Sequence, residues 1–190
     1  MNVGIIGSGA ISGIYLKNLT QNHPNIRVLA VASKHPENAR KKAAQFGLPS
    51  CTVEELLRNP EIEMIVNLTP VGAHYEIIRR CLEAGKHVYT EKTLTDHYET
   101  AKELLALADE KGLYLGSAPD TFLGSAIQEP KAAVDSGMLG RIHSFAISSN
   151  RSNDLLLSLF SFLREPRAGV LLDYGAYSLT ALVSLLGPAA

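Results

Sequence analysis

Short apolar segments alternate with amphipathic segments along roughly the first 120 residues of the chain. The apolar segments predict strands at NVGIIG, IRVLAVAS, EMIVNLT, HVYTEK and LYLGSA, with a short weak strand near 48–51. Strands that are apolar throughout are typical of parallel sheets covered on both faces. The alternation therefore predicts an α/β fold with an N-terminal doubly wound parallel sheet of the Rossmann type.

Two of the intervening helices carry capping signals. Thr52 and Glu55 predict a capping box at the start of TVEELLRN. Asp96 and Glu99 predict a second capping box for the helix that follows HVYTEK and ends at Gly112.

The pattern changes after about residue 120. We expect a helix with an internal Pro130, then a half-buried strand of a different sheet marked by Ile142, Phe145 and Ile147, then a last helix over 172–186. A lone strand leaves its edges unpaired. We therefore expect a dinucleotide-binding domain over 1–120 and, over 121–190, the first part of an α+β substrate and oligomerisation domain, incomplete as given.

Composition narrows the choice of partner. The 18 basic and 19 acidic residues nearly cancel and form no basic block, so we expect neither a nucleic acid nor an anionic membrane as partner, but a small molecule. No basic segment precedes the first apolar run and no apolar stretch is long enough to span a bilayer, which favours the cytoplasm. Cys51 and Cys81 have no metal or CxxC spacing and are interpreted as reduced, partly buried thiols, and the six histidines lack ligand spacing, so we expect no metal.

A glycine loop follows the first strand. The segment GIIGSGAISG matches a dinucleotide fingerprint, in which Gly7 makes the tight turn and Gly9 lets the backbone approach a pyrophosphate. The third position of the fingerprint, which needs a small residue, is Ser12 instead of glycine. Gly7, Gly9, Ala10 and Ile11 are the candidate cofactor contacts, since the helix start supplies free N–H groups. The alternative is a glycine turn without a ligand.

The end of the second strand bears on cofactor choice. Ser33 and Lys34 stand where an NAD-preferring site has a carboxylate that binds the ribose hydroxyls. Serine does not repel a 2′-phosphate and lysine attracts one. These residues favour NADP, with NAD still possible, unless they form only a solvated turn.

Read in order, the glycine loop, LTPVGAH, TEK and LLDYGAY resemble the glucose-fructose oxidoreductase, inositol dehydrogenase and rhizopine catabolism (Gfo/Idh/MocA) family. The resemblance covers essentially the whole chain. It implies a Rossmann domain followed by a larger α/β domain with an open, antiparallel-rich sheet, of which most is missing here. Full-length members tend to pair through that sheet, so the resemblance implies a homo-oligomer.

The resemblance also implies a site. Glu91 and Lys92 match the family's Glu-Lys-Pro motif, in which the lysine beside the nicotinamide points at the substrate; Thr93 stands where proline is usual. A surface ion pair is the alternative. The cofactor-cleft loop of the family corresponds to Thr69, Pro70 and His74, and His74 is equally well interpreted as an ordinary first-turn helix residue.

The second catalytic element is LLDYGAYSLT. Asp173 and Tyr177 are four residues apart and so share a helix face. Many relatives carry histidine in place of Tyr177 and an acidic or amide residue in place of Thr180. Tyr177 is thus the candidate general acid or base, unless it is a core aromatic. An unperturbed phenol titrates at about 10, and the ammonium of Lys92 favours its ionised form.

The resulting hypothesis is reversible hydride transfer between a nicotinamide cofactor and a sugar, polyol or diol. Lys92, Tyr177 and Asp173 are its catalytic residues. The alternative is a non-catalytic dinucleotide-binding module or sensor.

Overall fold

The computed structural model describes residues 1–148, 150, 155, 157, 158 and 170–188. The chain divides into two compact units, Met1–Ala118 and Pro119–Ala190.

The first unit, described throughout, contains a six-stranded parallel sheet. Its strands are β1 (Asn2–Ile6), β2 (Arg27–Ala32), β3 (Ser50–Cys51), β4 (Met64–Asn67), β5 (His87–Thr90) and β6 (Leu115–Ser117). They lie in the order β3-β2-β1-β4-β5-β6, and every neighbouring pair is parallel. The chain starts at the centre, runs to one edge and returns to the centre at β4, which is the doubly wound arrangement that the sequence predicts.

Helices cover both faces of this sheet. They are α1 (Ser12–Gln21), α2 (Pro36–Ala44), α3 (Val53–Arg58), α4 (His74–Glu83) and α5 (Tyr98–Glu110). Neighbouring residues of β1 enter opposite cores: Ile5 packs in the cluster that contains Leu16, and Ile6 packs in the cluster that contains Ile78. Because both faces of the strand are buried, its sequence is apolar without alternation.

The two predicted capping boxes have different outcomes. The Thr52–Glu55 box is present, with the Glu55 N–H donating to Thr52 Oγ1 over 3.1 Å and the Thr52 N–H donating to Glu55 Oε2 over 2.8 Å. The Asp96–Glu99 box is wrong, because the N-cap of α5 is His97 and makes no side-chain cap. The helix starts one residue later than predicted, so Glu99 falls at the second helical position, where the reciprocal contact of a capping box is not made.

The second unit has helices in its described residues: a 3-10 turn (Thr121–Leu123), α6 (Ser125–Asp135) with Pro130 inside it, and α7 (Val170–Leu186). The strand predicted around Phe145 is wrong for residues 141–148, which form no strand. Phe145 and Ile147 are 39% and 46% exposed. A strand needs a hydrogen-bonded neighbour, and the described part of this unit contains none. A further apolar run in the sequence, LLLSLFSFL at 155–163, lies mostly outside the described residues.

Within the described residues, no helix combines the length and the apolar character that a membrane span requires. Cys51 and Cys81 are both free thiols. Burial raises the pKa of Cys81 to about 12 and also raises that of Cys51, so neither thiol is an activated nucleophile.

Candidate functional site

The glycine loop begins with a residue that only glycine fits. Gly7 has φ +118°, and its N–H donates to the Ala32 carbonyl over 2.9 Å. A Cβ at Gly7 would lie 2.5 Å from the backbone carbon and oxygen of Leu68. The loop therefore leaves β1 pressed against the ends of β2 and β4, at the point where the strand order reverses.

The rest of the loop is open. Gly9, Ala10 and Ile11 are exposed, and a Cβ at Gly9 would meet nothing within 4 Å. Ser12, the first residue of α1, is buried and donates from Oγ to the Gly9 carbonyl over 2.6 Å, so its small side chain suits the third fingerprint position. The N-terminus of α1 has no side-chain cap, and a helix N-terminus that follows a glycine loop suits a pyrophosphate.

The candidate specificity corner lies at the end of β2. Ser33 Oγ accepts from Ser8 Oγ over 3.1 Å and from the His35 N–H over 3.3 Å. A serine hydroxyl can donate as well as accept. Lys34 is exposed beside it. The corner thus presents a donor and a cation, and no carboxylate occurs from 33 to 36.

A buried polar network joins the carboxyl ends of β4 and β5. Asn67 and Thr90 are both fully buried, and Asn67 Nδ2 donates to Thr90 Oγ1 over 3.0 Å. Asn67 Oδ1 accepts from Thr69 Oγ1 over 2.8 Å, and the Asn67 carbonyl accepts from the Glu91 N–H over 2.9 Å. Asn67 is not among the predicted site residues, although an amide at the end of the apolar run EMIVN is a signal for it.

The predicted cleft loop is arranged around His74, the first residue of α4. Its Nε2 lies 2.8 Å from the Thr69 carbonyl oxygen and its Nδ1 lies 2.7 Å from the Thr93 carbonyl oxygen. The ring is 0% exposed. Pro70 begins the 3-10 turn Val71–Ala73 that leads into the helix. The structure thus brings Thr69 and His74 together, and the ring joins two segments of protein and presents no nitrogen to solvent.

The Glu91–Lys92 corner is tied to the start of α1. Glu91 Oε1 accepts from Tyr15 Oη over 2.7 Å, and Glu91 Oε2 accepts from the Lys92 N–H over 3.1 Å. The Lys92–Thr93 peptide bond is cis. The pair is thus part of a connection between the glycine-loop helix and the end of β5, which is more than a solvated turn.

Tyr15 is a second residue that sequence reasoning missed. Burial, and then the hydrogen bond to Glu91, raise the pKa of its phenol far above the usual range. The ring is tilted against Tyr89, with centroids 6.4 Å apart. Tyr15 therefore remains a neutral donor to Glu91 at any physiological pH. Its contact with Glu91 spans 76 positions, so no local pattern could indicate it.

Asp173 and Tyr177 lie one turn apart on α7, both partly buried. The ring of Tyr177 is tilted against that of Tyr174 at a centroid distance of 6.0 Å. Lys92 belongs to the first unit and these residues to the second, so the convergence of lysine, phenol and carboxylate stays a prediction. Across the described residues, no cluster of three or more His, Cys, Asp or Glu side chains could hold a metal.

The chain is similar in sequence to known oxidoreductases. Residues 1–118 match the Gfo/Idh/MocA oxidoreductase family, NAD-binding Rossmann fold. The scyllo-inositol 2-dehydrogenase (NADP(+)) of Bacillus subtilis is 26% identical over 187 residues, which are 98% of this chain and 52% of that protein. The dTDP-3,4-didehydro-2,6-dideoxy-alpha-D-glucose 3-reductase of Streptomyces violaceoruber is 30% identical over 192 residues, 98% of this chain and 55% of that protein.

A solved structure extends the likeness to three dimensions. The 3-ketoreductase of Actinomadura kijaniata, in complex with NADP and TDP-benzene, has a TM-score of 0.79 at 30% identity, over 98% of this chain and 57% of that one. The chain therefore spans about half the length of the relatives it matches. Since the matched residues are those that build the parallel sheet, the glycine loop and the Glu91–Lys92 corner, this chain belongs to the Gfo/Idh/MocA family of oxidoreductases with the NAD-binding Rossmann fold.

Proposed function

We propose that this protein is an NAD(P)-dependent dehydrogenase or reductase that transfers a hydride between the cofactor and the CH–OH carbon of a sugar, polyol or diol. The observation that carries the proposal is the Glu91–Lys92 corner, held at the carboxyl end of β5 by contacts to Asn67 and Tyr15. Dinucleotides bind across the carboxyl ends of the strands in doubly wound sheets. The names of the inositol dehydrogenase and sugar reductase relatives support this substrate class.

In this proposal the exposed loop before α1, at Gly9, Ala10 and Ile11, binds the pyrophosphate, and Thr69 and Pro70 border the cofactor from the β4 side. The nicotinamide ring, when bound, carries the hydride. The protein's own residues bind both reactants, orient them and handle one proton.

The proton chemistry is assigned to three side chains. Lys92 Nζ donates to the substrate oxygen, and its positive charge favours the ionised form of the Tyr177 phenol. Tyr177 Oη accepts the hydroxyl proton during oxidation and returns it during reduction. Asp173, on the same helix face, orients the phenol and the lysine.

The sharpest test of the reaction class is the transfer of deuterium from the cofactor to a carbonyl substrate. NADPH deuterated at C4 is incubated with the longest natural chain and a panel of ketoses, keto-inositols and diketones. We expect deuterium on the new carbinol carbon of at least one product, detected by mass spectrometry. Tight NADPH binding without transfer to any carbonyl on the panel would favour the non-catalytic dinucleotide-binding module.

Cofactor preference gives a separate prediction. We expect NADPH to bind more tightly than NADH, because Ser33 and Lys34 present a donor and a cation to the 2′-phosphate. Ser33→Asp adds a carboxylate that repels this phosphate, so NADPH affinity should fall by about tenfold and the preference should reverse. Ser33→Asn is the matched control, because asparagine has nearly the same shape as aspartate but no charge. Fluorescence titration measures the affinities of all three proteins for NADPH and NADH, and tighter NADH binding by the unmodified protein would contradict the prediction.

Self-association is also part of the proposal. In the second unit Leu171, Leu179 and Val183 of α7 are 73%, 57% and 48% exposed, which is a large apolar surface for one helix. We expect the 190-residue chain to associate in sedimentation experiments, and the natural protein to be a homo-oligomer. A compact stable monomer would contradict this.

The two free thiols support a cytoplasmic location.

A further inference from the structure

His74 is fully buried, and each of its ring nitrogens faces a main-chain carbonyl. The distances are 2.8 Å from Nε2 to the Thr69 oxygen and 2.7 Å from Nδ1 to the Thr93 oxygen. Both distances are those of short hydrogen bonds. A carbonyl oxygen only accepts, so a neutral ring donates to one of these two carbonyls, and both contacts are hydrogen bonds at once only when both ring nitrogens carry a proton. Neither nitrogen is left to bind a ligand.

The two carbonyls belong to different segments at the carboxyl edge of the sheet. Thr69 lies just after β4, and Thr93 is the residue after Lys92, just beyond β5. At the strand ends these segments are already joined by the side chains of Asn67 and Thr90. The imidazole ring adds a second connection farther from the strands, beyond the last main-chain hydrogen bond between the two segments, from Glu91 to Asn67.

We propose that His74 is a positioning residue that holds the segments after β4 and β5 together and thereby fixes the backbone that carries Lys92. This inference rests on the proposed function for its consequence, since Lys92 matters there as the substrate-facing cation. It assigns to His74 a role different from the direct cofactor contact that the loop motif predicts. In a doubly wound sheet the adenine half of the dinucleotide lies on the β2 side, so His74 acts on the nicotinamide half only.

Amide hydrogen exchange tests the connection without any turnover. The reporters are the N–H groups of Thr69 and Lys92, which donate to Asn67 Oδ1 over 3.3 Å and to Glu91 Oε2 over 3.1 Å. In His74→Ala both amides should exchange at least about tenfold faster, while amides of β1 and β2 keep their rates. In His74→Gln one side-chain amide still donates to one carbonyl, so one reporter should remain protected. His23→Gln, at an exposed histidine, is the matched control and should change neither.

Ligand binding tests the consequence. NADPH affinity should fall by about three- to tenfold in His74→Gln, the loss of one hydrogen bond, while affinity for 2′,5′-ADP, which carries only the adenine half, should stay within about twofold. The proposal would be overturned if amide exchange rose equally across the sheet, rose only within α4, or did not rise at all. So would an equal loss of affinity for both ligands. If the unmodified protein failed to bind NADPH, the proposed function would fail, while the exchange experiment would still decide whether His74 joins the two segments.

Discussion

Lys92→Ala is expected to lower turnover by about 10²-fold or more, the usual scale of general acid–base assistance. In the proposed mechanism, the substitution removes the donor to the substrate oxygen and the charge that favours an ionised Tyr177. It leaves the glycine loop intact, so NADPH affinity should change little. Steady-state kinetics and fluorescence titration on the longest natural chain measure the two effects separately. Lys111→Ala, at an exposed lysine after α5, is the control and should be neutral.

Tyr177→Phe extends this test to the second unit. In the proposed mechanism it deletes the proton carrier and keeps the ring, so it should cost a similar factor. The double variant should lose less than the product if the two groups act as one unit. A pH–rate profile of the four proteins completes the cycle. A Tyr177→Phe protein as fast as the unmodified one would remove the phenol from the mechanism. Losses confined to cofactor binding would reduce the Glu91–Lys92 corner to a structural element.

Gly7→Ala should be the most destabilising single substitution in the glycine loop. The new Cβ would lie 2.5 Å from backbone atoms of Leu68, and the backbone at Gly7 has φ +118°. No side-chain rotation relieves a contact with backbone. We expect a loss of about 3 kcal/mol or more in the free energy of unfolding, measured by denaturant titration, out of a total of about 5–15 kcal/mol for a typical domain.

Gly9→Ala separates binding from folding at the same loop. A Cβ at Gly9 meets nothing within 4 Å in the protein alone, so stability should stay within about 0.5 kcal/mol. The same methyl group stands where the pyrophosphate is expected to approach, so NADPH affinity should fall by at least about tenfold. Equal destabilisation by Gly7→Ala and Gly9→Ala would contradict the assigned roles, and so would unchanged NADPH binding by Gly9→Ala.

The strands, the glycine loop and one helix start could be predicted because their causes are local or periodic. Burial on both faces makes a strand such as β1 apolar throughout. The turn at Gly7 needs a conformation that favours glycine, and Ser12 has to be small because it is fully buried. The Thr52–Glu55 capping box joins residues only three positions apart.

The sequence-based predictions that are wrong concern features that depend on more than local spacing. The helix α5 starts one residue later than predicted, with His97 at its N-cap. The hydroxyls of Thr95 and Thr100 donate to the His97 carbonyl, over 2.6 and 2.8 Å. Phe145 has the spacing of a strand residue, but spacing does not supply a neighbouring strand.

The contacts around the candidate site also depend on residues that are distant in sequence. Motif order indicates Glu91 and Lys92, but the tie to Tyr15 spans 76 positions. Likewise, the sequence indicates that His74 begins a helix, while its contact with the Thr93 carbonyl spans 19 positions and depends on how β4 and β5 pair.

The hydrogen bond from Tyr15 to Glu91 also limits how segments of this fold can be exchanged between relatives. The glycine loop and α1 form a natural module for exchange between relatives when a different nucleotide is wanted. In this chain that module also supplies the Tyr15 hydroxyl that donates to Glu91 Oε1, while Glu91 Oε2 accepts from the Lys92 N–H. A chimera that imports a new N-terminal segment without a donor at position 15 would therefore release the lysine corner, although the junction lies far from it in sequence.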